Sequence, residues 1–102
     1  MEIQKVICLS TRHVTEDDMN DALPSAHMDQ PVFRARHDFG AFIYIPASQD
    51  GIDDLLQACR EFGYSESFCK VLQFGFAHGA RYVHLDCDGP EDTTYGLDSN
   101  DW

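Results

Sequence analysis

At 102 residues with a hydrophobic content of 43%, the chain has room for one domain with a modest core. Its seven Phe, four Tyr and one Trp are too much aromatic matter for a chain that stays unfolded. Eighteen acidic residues against seven basic ones give a formal net charge of -11, a field that repels nucleic acid and anionic membranes and speeds encounter with basic partners.

In chain order, Ile3 to Leu9 reads as a first strand, and its apolar end (Val6-Ile7-Cys8-Leu9) is the pattern of an interior strand covered on both faces. Thr15 with Asp18 three residues later resembles a capping box, and Glu16, Asp17 and Asp18 suit the positive end of a helix from about 16 to 23, stopped by Pro24. Pro31 opens a second strand, Val32 to His37, with Phe33 and Ala35 on one face and Arg34 and Arg36 on the other. Asp38-Phe39-Gly40 connects it to Ala41–Ile45, the strongest strand pattern in the chain, and the two should form an antiparallel hairpin.

After a turn from Pro46 to Gly51, with Asp50 as candidate N-cap, Ile52, Leu55, Leu56 and Cys59 make one apolar helical stripe that runs to Phe62. Gly63 suits the left-handed position that closes it. Ser65 starts another helix, with Phe68, Val71, Leu72 and Phe76 at helical spacing up to Gly79. Arg81 to Asp86 is the last strand, Val83 and Leu85 inward. From Asp88 on, turn formers and acids replace any periodicity. The expected fold is α+β: a four-stranded mixed sheet with about three helices on one side (β-α-β-β-α-α-β). Residues 1–90 form the domain and 91–102 an acidic tail that packs on it or extends from it, with partial pinning by Tyr95, Leu97 and Trp102 the favoured arrangement. Dimerisation would add to the surface that so short a chain can bury.

Cys8, Cys59, Cys69 and Cys87 form no C-x-x-C pair and follow no secretory leader, so reduced thiols in a cytoplasmic protein are expected, with Cys8 acting as a small buried hydrophobe. His84 and Cys87, beside Asp86 and Asp88, are one partial ligand pair, short of the four ligands of a structural zinc site. Asp86-Cys87-Asp88-Gly89 opens like a calcium loop, but its Gly comes fourth and Leu97 falls where the bidentate acid belongs. No metal and no cofactor is expected.

Ser10, Thr11 and His13 follow the first strand, a place where α/β proteins often carry sites. They are the candidate ligand loop, with His13 as base and a hydroxyl as nucleophile or phosphate contact. No oxyanion or glycine-rich element accompanies them, so no catalytic residue is assigned. The basic residues are scattered, which excludes direct nucleic-acid recognition. The carboxylates, in contrast, cluster: Glu16, Asp17, Asp18 and Asp21 near the first helix, and Asp86, Asp88, Glu91 and Asp92 toward the C-terminus, where no Lys or Arg follows Arg81. These are the candidate binding residues, because such clusters on one surface can imitate the phosphate ladder of duplex DNA.

The segment Leu9-Ser10-Thr11-Arg12-His13, the strand Phe42-Ile43-Tyr44-Ile45-Pro46, Asp86-Cys87-Asp88-Gly89-Pro90 and the closing Asp101-Trp102 together resemble a family of small bacterial proteins borne on plasmids, prophages and integrative elements. The resemblance implies a setting and carries no catalytic residues. It suggests a non-catalytic acidic binding protein of a mobile genetic element. Such a protein would dock on a basic partner, such as a restriction or CRISPR effector, and present a DNA-like surface to it. The alternatives are a small enzyme or ligand-binding domain centred on Ser10, Thr11 and His13, or an acidic antitoxin against a basic toxin.

Overall fold

The computed structural model describes residues 1, 3–20, 34–37, 40–92 and 96–100, with 20 and 34–37 described by their backbone alone. Its elements are β1 (Val6–Ser10), a 3₁₀ turn (Thr11–His13), α1 (Glu16–Asn20), β2 (Arg34–His37), β3 (Gly40–Tyr44), α2 (Gln49–Phe62), α3 (Glu66–Ala77) and β4 (Tyr82–Asp86). The class is α+β, as the patterning indicates. The sheet runs β1-β4-β3-β2, with β1 parallel to β4 and the other neighbours antiparallel. The expected hairpin is present: Arg34 pairs with Ile43 and His37 with Gly40. No helix among the described residues is long and apolar enough to cross a membrane. Pro24, Phe33, Tyr95 and Trp102, which the sequence reading uses, lie outside the described residues.

The helix ends follow from local chemistry. Thr15 and Asp18 close the anticipated box, the Thr15 N–H donating to Asp18 Oδ2 at 2.9 Å and the Asp18 N–H to Thr15 Oγ1 at 3.2 Å. At α2 the cap is Ser48 and not Asp50: Ser48 Oγ accepts from the Gly51 N–H at 3.0 Å, and Asp50 lies two positions further on, in the first turn. Either acid or hydroxyl could serve there, and the chain turns helical at Gln49, three residues before the apolar stripe begins at Ile52. Gly63, at φ 112°, ends α2, with its own N–H donating to Arg60 O and that of Tyr64 to Cys59 O, the paired bonds of a Schellman closure. Ser65 then caps α3 by accepting from the Phe68 N–H.

The core lies between one face of the sheet and the two long helices. Ala41, Ile43, Val83 and Leu85 alternate inward from β3 and β4, and Leu56, Phe68 and Leu72 meet them from α2 and α3. Phe62, Tyr64 and Phe68 stack in a row, with centroids 5.4 and 4.2 Å apart. On the opposite face of the sheet, Phe42 stacks on His84 at 4.0 Å and Tyr44 meets Tyr82 edge-on.

β1 departs from expectation. It begins at Val6 and occupies an edge of the sheet, with Val6 and Cys8 exposed, Ile7 half-buried and Leu9 buried. The run Val6-Ile7-Cys8-Leu9 therefore marks a strand with one covered face, and Cys8 is a surface thiol. A continuous apolar run cannot separate the two cases, because it records which side chains tolerate burial and not how many layers the rest of the chain supplies.

Gly75 decides how closely α3 approaches the sheet: a Cβ there would lie 2.7 Å from Val83 Cγ2 and 3.3 Å from Ile45 Cγ1, both in the core. Gly75→Ala should therefore lower stability by about 1–3 kcal/mol through overpacking, despite alanine's better helix propensity. Denaturant unfolding monitored by circular dichroism checks this.

Candidate functional site

The candidate ligand loop folds into the interior. Ser10, Thr11 and His13 are buried, and His13 has no exposed surface at all. Ser10 Oγ accepts from the Arg12 N–H at 3.1 Å and starts the 3₁₀ turn, while the Ser10 N–H donates to Pro90 O at 2.8 Å. His13 Nε2 accepts from the Asp92 N–H at 2.9 Å, and Nδ1 lies 2.8 Å from Asp98 O. A nitrogen that accepts an N–H carries no proton, so the ring is the tautomer whose Nδ1–H donates to the Asp98 carbonyl. Both nitrogens are thus spent on the backbone of the C-terminal stretch, and neither remains for general-base work. The geometry makes His13 a staple.

The same stretch is sewn down further along. Asn100 donates from its backbone N–H and from Nδ2 to Arg12 O, at 2.8 and 3.0 Å, and Nδ2 also reaches Val14 O at 3.1 Å. Leu97 is buried in the core. The Asp98 carboxylate accepts from Ser67 Oγ at 2.8 Å and from Lys70 Nζ at 3.0 Å. These hydrogen bonds, Ser67's first and Lys70's second, hold its pKa below the usual carboxylate value. Of the anchors anticipated in this region, Leu97 is one, and the polar ones (Asp98, Asn100) were not read from the sequence. Their partners lie more than 80 positions away for His13 and Arg12, a separation that no local pattern reports.

The candidate acids separate by environment. Glu16, Asp17, Asp88 and Glu91 are exposed, and Asp86 and Asp92 are half-buried. Asp18 is a correction: it is fully buried, and besides closing the Thr15 box it accepts from the Ser65 N–H at 3.0 Å and from Ser65 Oγ at 2.5 Å. It ties α1 to the start of α3 and offers nothing to a partner. Asp21 lies outside the described residues. Several cations are matched internally: Arg12 with Glu91 at 3.7 Å, Arg60 with Glu66 at 2.9 Å and Lys70 with Asp98.

Ligand atoms of Asp86, Cys87 and Asp88 lie within 4.8 Å of one another. Asp86 uses Oδ1 to accept the Asp88 N–H at 2.8 Å, closing the turn, and Oδ2 lies 3.5 Å from His84 Nε2. Cys59 and Cys69 are buried, and burial pushes the Cys59 thiol up to about 12 and raises that of Cys69, so both are inert at neutral pH. An open groove of 440 Å³ lies along the outer side of α3, lined by Lys70, Phe74, His78 and Leu97 among others, and none of Ser10, Thr11 or His13 lines it.

Two outcomes follow. His13→Leu strands the Asp92 N–H and the Asp98 carbonyl, at about 1–3 kcal/mol for each buried group left unpaired. The variant should be less stable and, more specifically, should expose residues 91–100 to limited proteolysis. Asp98, with its pKa lowered in the fold, contributes stability that is complete above the ordinary value of 3.8 and is lost as pH falls below that toward the lowered value. Unfolding midpoints across that acid range should fall more steeply for the natural chain than for Asp98→Asn.

Searches of the curated proteins and of the solved structures return no match. A protein family of unknown function, the DUF5983 C-terminal domain, matches residues 6–102, which takes in the sheet, both long helices and the sewn-down C-terminal stretch alike. The chain belongs to the DUF5983 C-terminal domain family.

Proposed function

We propose that this chain is a non-catalytic acidic binding protein that docks on a basic protein surface through carboxylates gathered around the 10–14 segment. The observation that carries this reading is the stitching of the C-terminal stretch to that segment through Ser10, Arg12, His13 and Val14. It draws Asp88, Glu91 and Asp92 toward the loop that leads directly into Glu16 and Asp17 of α1. No Lys or Arg follows Arg81, so the C-terminal stretch brings acids to this region without a cation of its own. Low-dielectric walls and like-signed charges focus field lines and raise the encounter rate with a cationic partner.

The partner class that fits is a DNA-binding effector of host defence, a restriction or CRISPR nuclease. Its groove, lined to hold phosphates, would accept the carboxylates of a mobile element's protein in their place. Support for that setting comes from the resemblance to proteins of plasmids and prophages and from the charge. The alternative, a small enzyme or ligand-binding domain centred on Ser10, Thr11 and His13, is less favoured, since Ser10 Oγ and both His13 nitrogens are engaged with backbone groups.

Binding to a purified effector nuclease, measured by calorimetry, should weaken steeply between about 50 and 500 mM salt as screening shortens the range of the field. Duplex DNA should compete. Reversing Glu16 and Asp17 together to lysine should weaken binding by about tenfold or more, roughly 1.4 kcal/mol, with the fold intact by circular dichroism. Affinity indifferent to salt and to that double reversal refutes the proposal.

A further inference from the structure

His13 is held in a form that acid removes. Its ring has no exposed surface, and its two nitrogens hold the C-terminal stretch in different ways. Nδ1 meets the Asp98 carbonyl at 2.8 Å, while Nε2 accepts the Asp92 N–H at 2.9 Å. An imidazolium has no acceptor, since both of its nitrogens donate. A proton on Nε2 would therefore point at the Asp92 N–H, donor against donor. The Nδ1–H bond to Asp98 O survives protonation, and so do the Asn100 bonds to Arg12 O and Val14 O. Of these bonds, the one from Asp92 alone needs a neutral ring.

The charged groups that these contacts bring toward the ring are Asp92 and Asp98 from the C-terminal stretch, Lys70 from α3, and Arg12 with its partner Glu91. Asp98 favours a cation, but its Oδ2 accepts from Ser67 and its Oδ1 from Lys70, whose own charge opposes one. Arg12, the adjacent residue, is a second cation. Asp18, buried on α1, takes its donors from Thr15 and Ser65. A buried imidazolium is costly, and that cost falls when water reaches Nε2. Water reaches it once Asp92 lifts away.

We propose that acid lifts Glu91 and Asp92 off the 10–14 segment, with His13 as the group that takes up the proton and residues 96–100 left in place. The sign follows from linkage: the closed state binds no proton at Nε2 and the open state does, so proton uptake favours opening. An imidazole in water takes up its proton at about 6.5, so the flap is closed above that pH and opens increasingly below it. The consequence for docking rests on the reading proposed above. Acid withdraws Glu91 and Asp92 from the docking surface in a range where ordinary carboxylates keep their charge.

Amide hydrogen exchange of the full chain, followed by NMR and corrected for the intrinsic pH dependence of exchange, tests this without a partner. Protection of the Asp92 amide should be about tenfold lower at about pH 5.5 than at about pH 7.5, with amides of α3 such as that of Leu72 unchanged. His13→Gln, whose amide has an acceptor and a donor and does not titrate, should abolish that difference. The variant isolates one histidine of the five in the chain. Ring nitrogen shifts of the natural chain report the same event without a substitution: Nε2 should gain its proton with the midpoint at which Asp92 loses protection. Asp92 protection indifferent to pH, an equal loss in His13→Gln, a parallel loss across α3, or a ring that protonates with Asp92 still protected overturns the inference. Docking indifferent to salt refutes the earlier proposal and leaves the flap standing, so the two fail separately.

Discussion

A buried polar group is costly unless it finds a partner inside the protein, and in this chain that requirement falls most heavily on one short stretch. Between the end of β1 and the first turn of α1, His13 and Asp18 are both fully buried. Neither could stay there unpaired, since a stranded polar group costs about 1–3 kcal/mol and a stranded charge more. Each is satisfied by backbone groups distant in sequence: His13 by Asp92 and Asp98, Asp18 by Ser65. These bonds fix where the C-terminal stretch runs and where α3 starts, and through α3 they fix the seating of Gly75 against Val83 and Ile45.

The acidity of the chain accordingly has two uses. Asp18 and Asp98 are structural, held by hydroxyl, amide and ammonium donors, and the second has its pKa lowered for that reason. Glu16, Asp17 and Asp88 remain at the surface, while Glu91 shares its charge with Arg12 in an exposed pair that adds little to stability. A residue's sign alone therefore says nothing about which use it serves. Burial sorts the two groups, and burial belongs to the whole fold.

The molecule also separates its surfaces by chemistry. At the 10–14 segment Arg12 is paired with Glu91. The β1 edge carries the exposed side chains of Lys5, Val6 and Cys8. The long helices turn their apolar stripes to the sheet and leave Asp50, Asp53, Asp54 and Glu61 of α2 outward. Two of the four thiols are buried and raised in pKa, and the other two, Cys8 within β1 and Cys87 just after β4, are exposed.

Short-range chemistry was legible in the residues themselves. The Thr15–Asp18 box, the left-handed Gly63, the Ser65 cap, the Arg34–Tyr44 hairpin region and the α2 and α3 stripes all depend on contacts within a few positions, so each is written in spacing and residue type. Only the tertiary structure decided that β1 is an edge, that His13 is a staple and no base, that Asp18 is internal, and that Asp98 and Asn100 hold the acidic end in place. Those outcomes rest on partners tens of residues apart, whose meeting depends on how the layers stack, and a periodicity of two or of 3.6 residues carries no record of it.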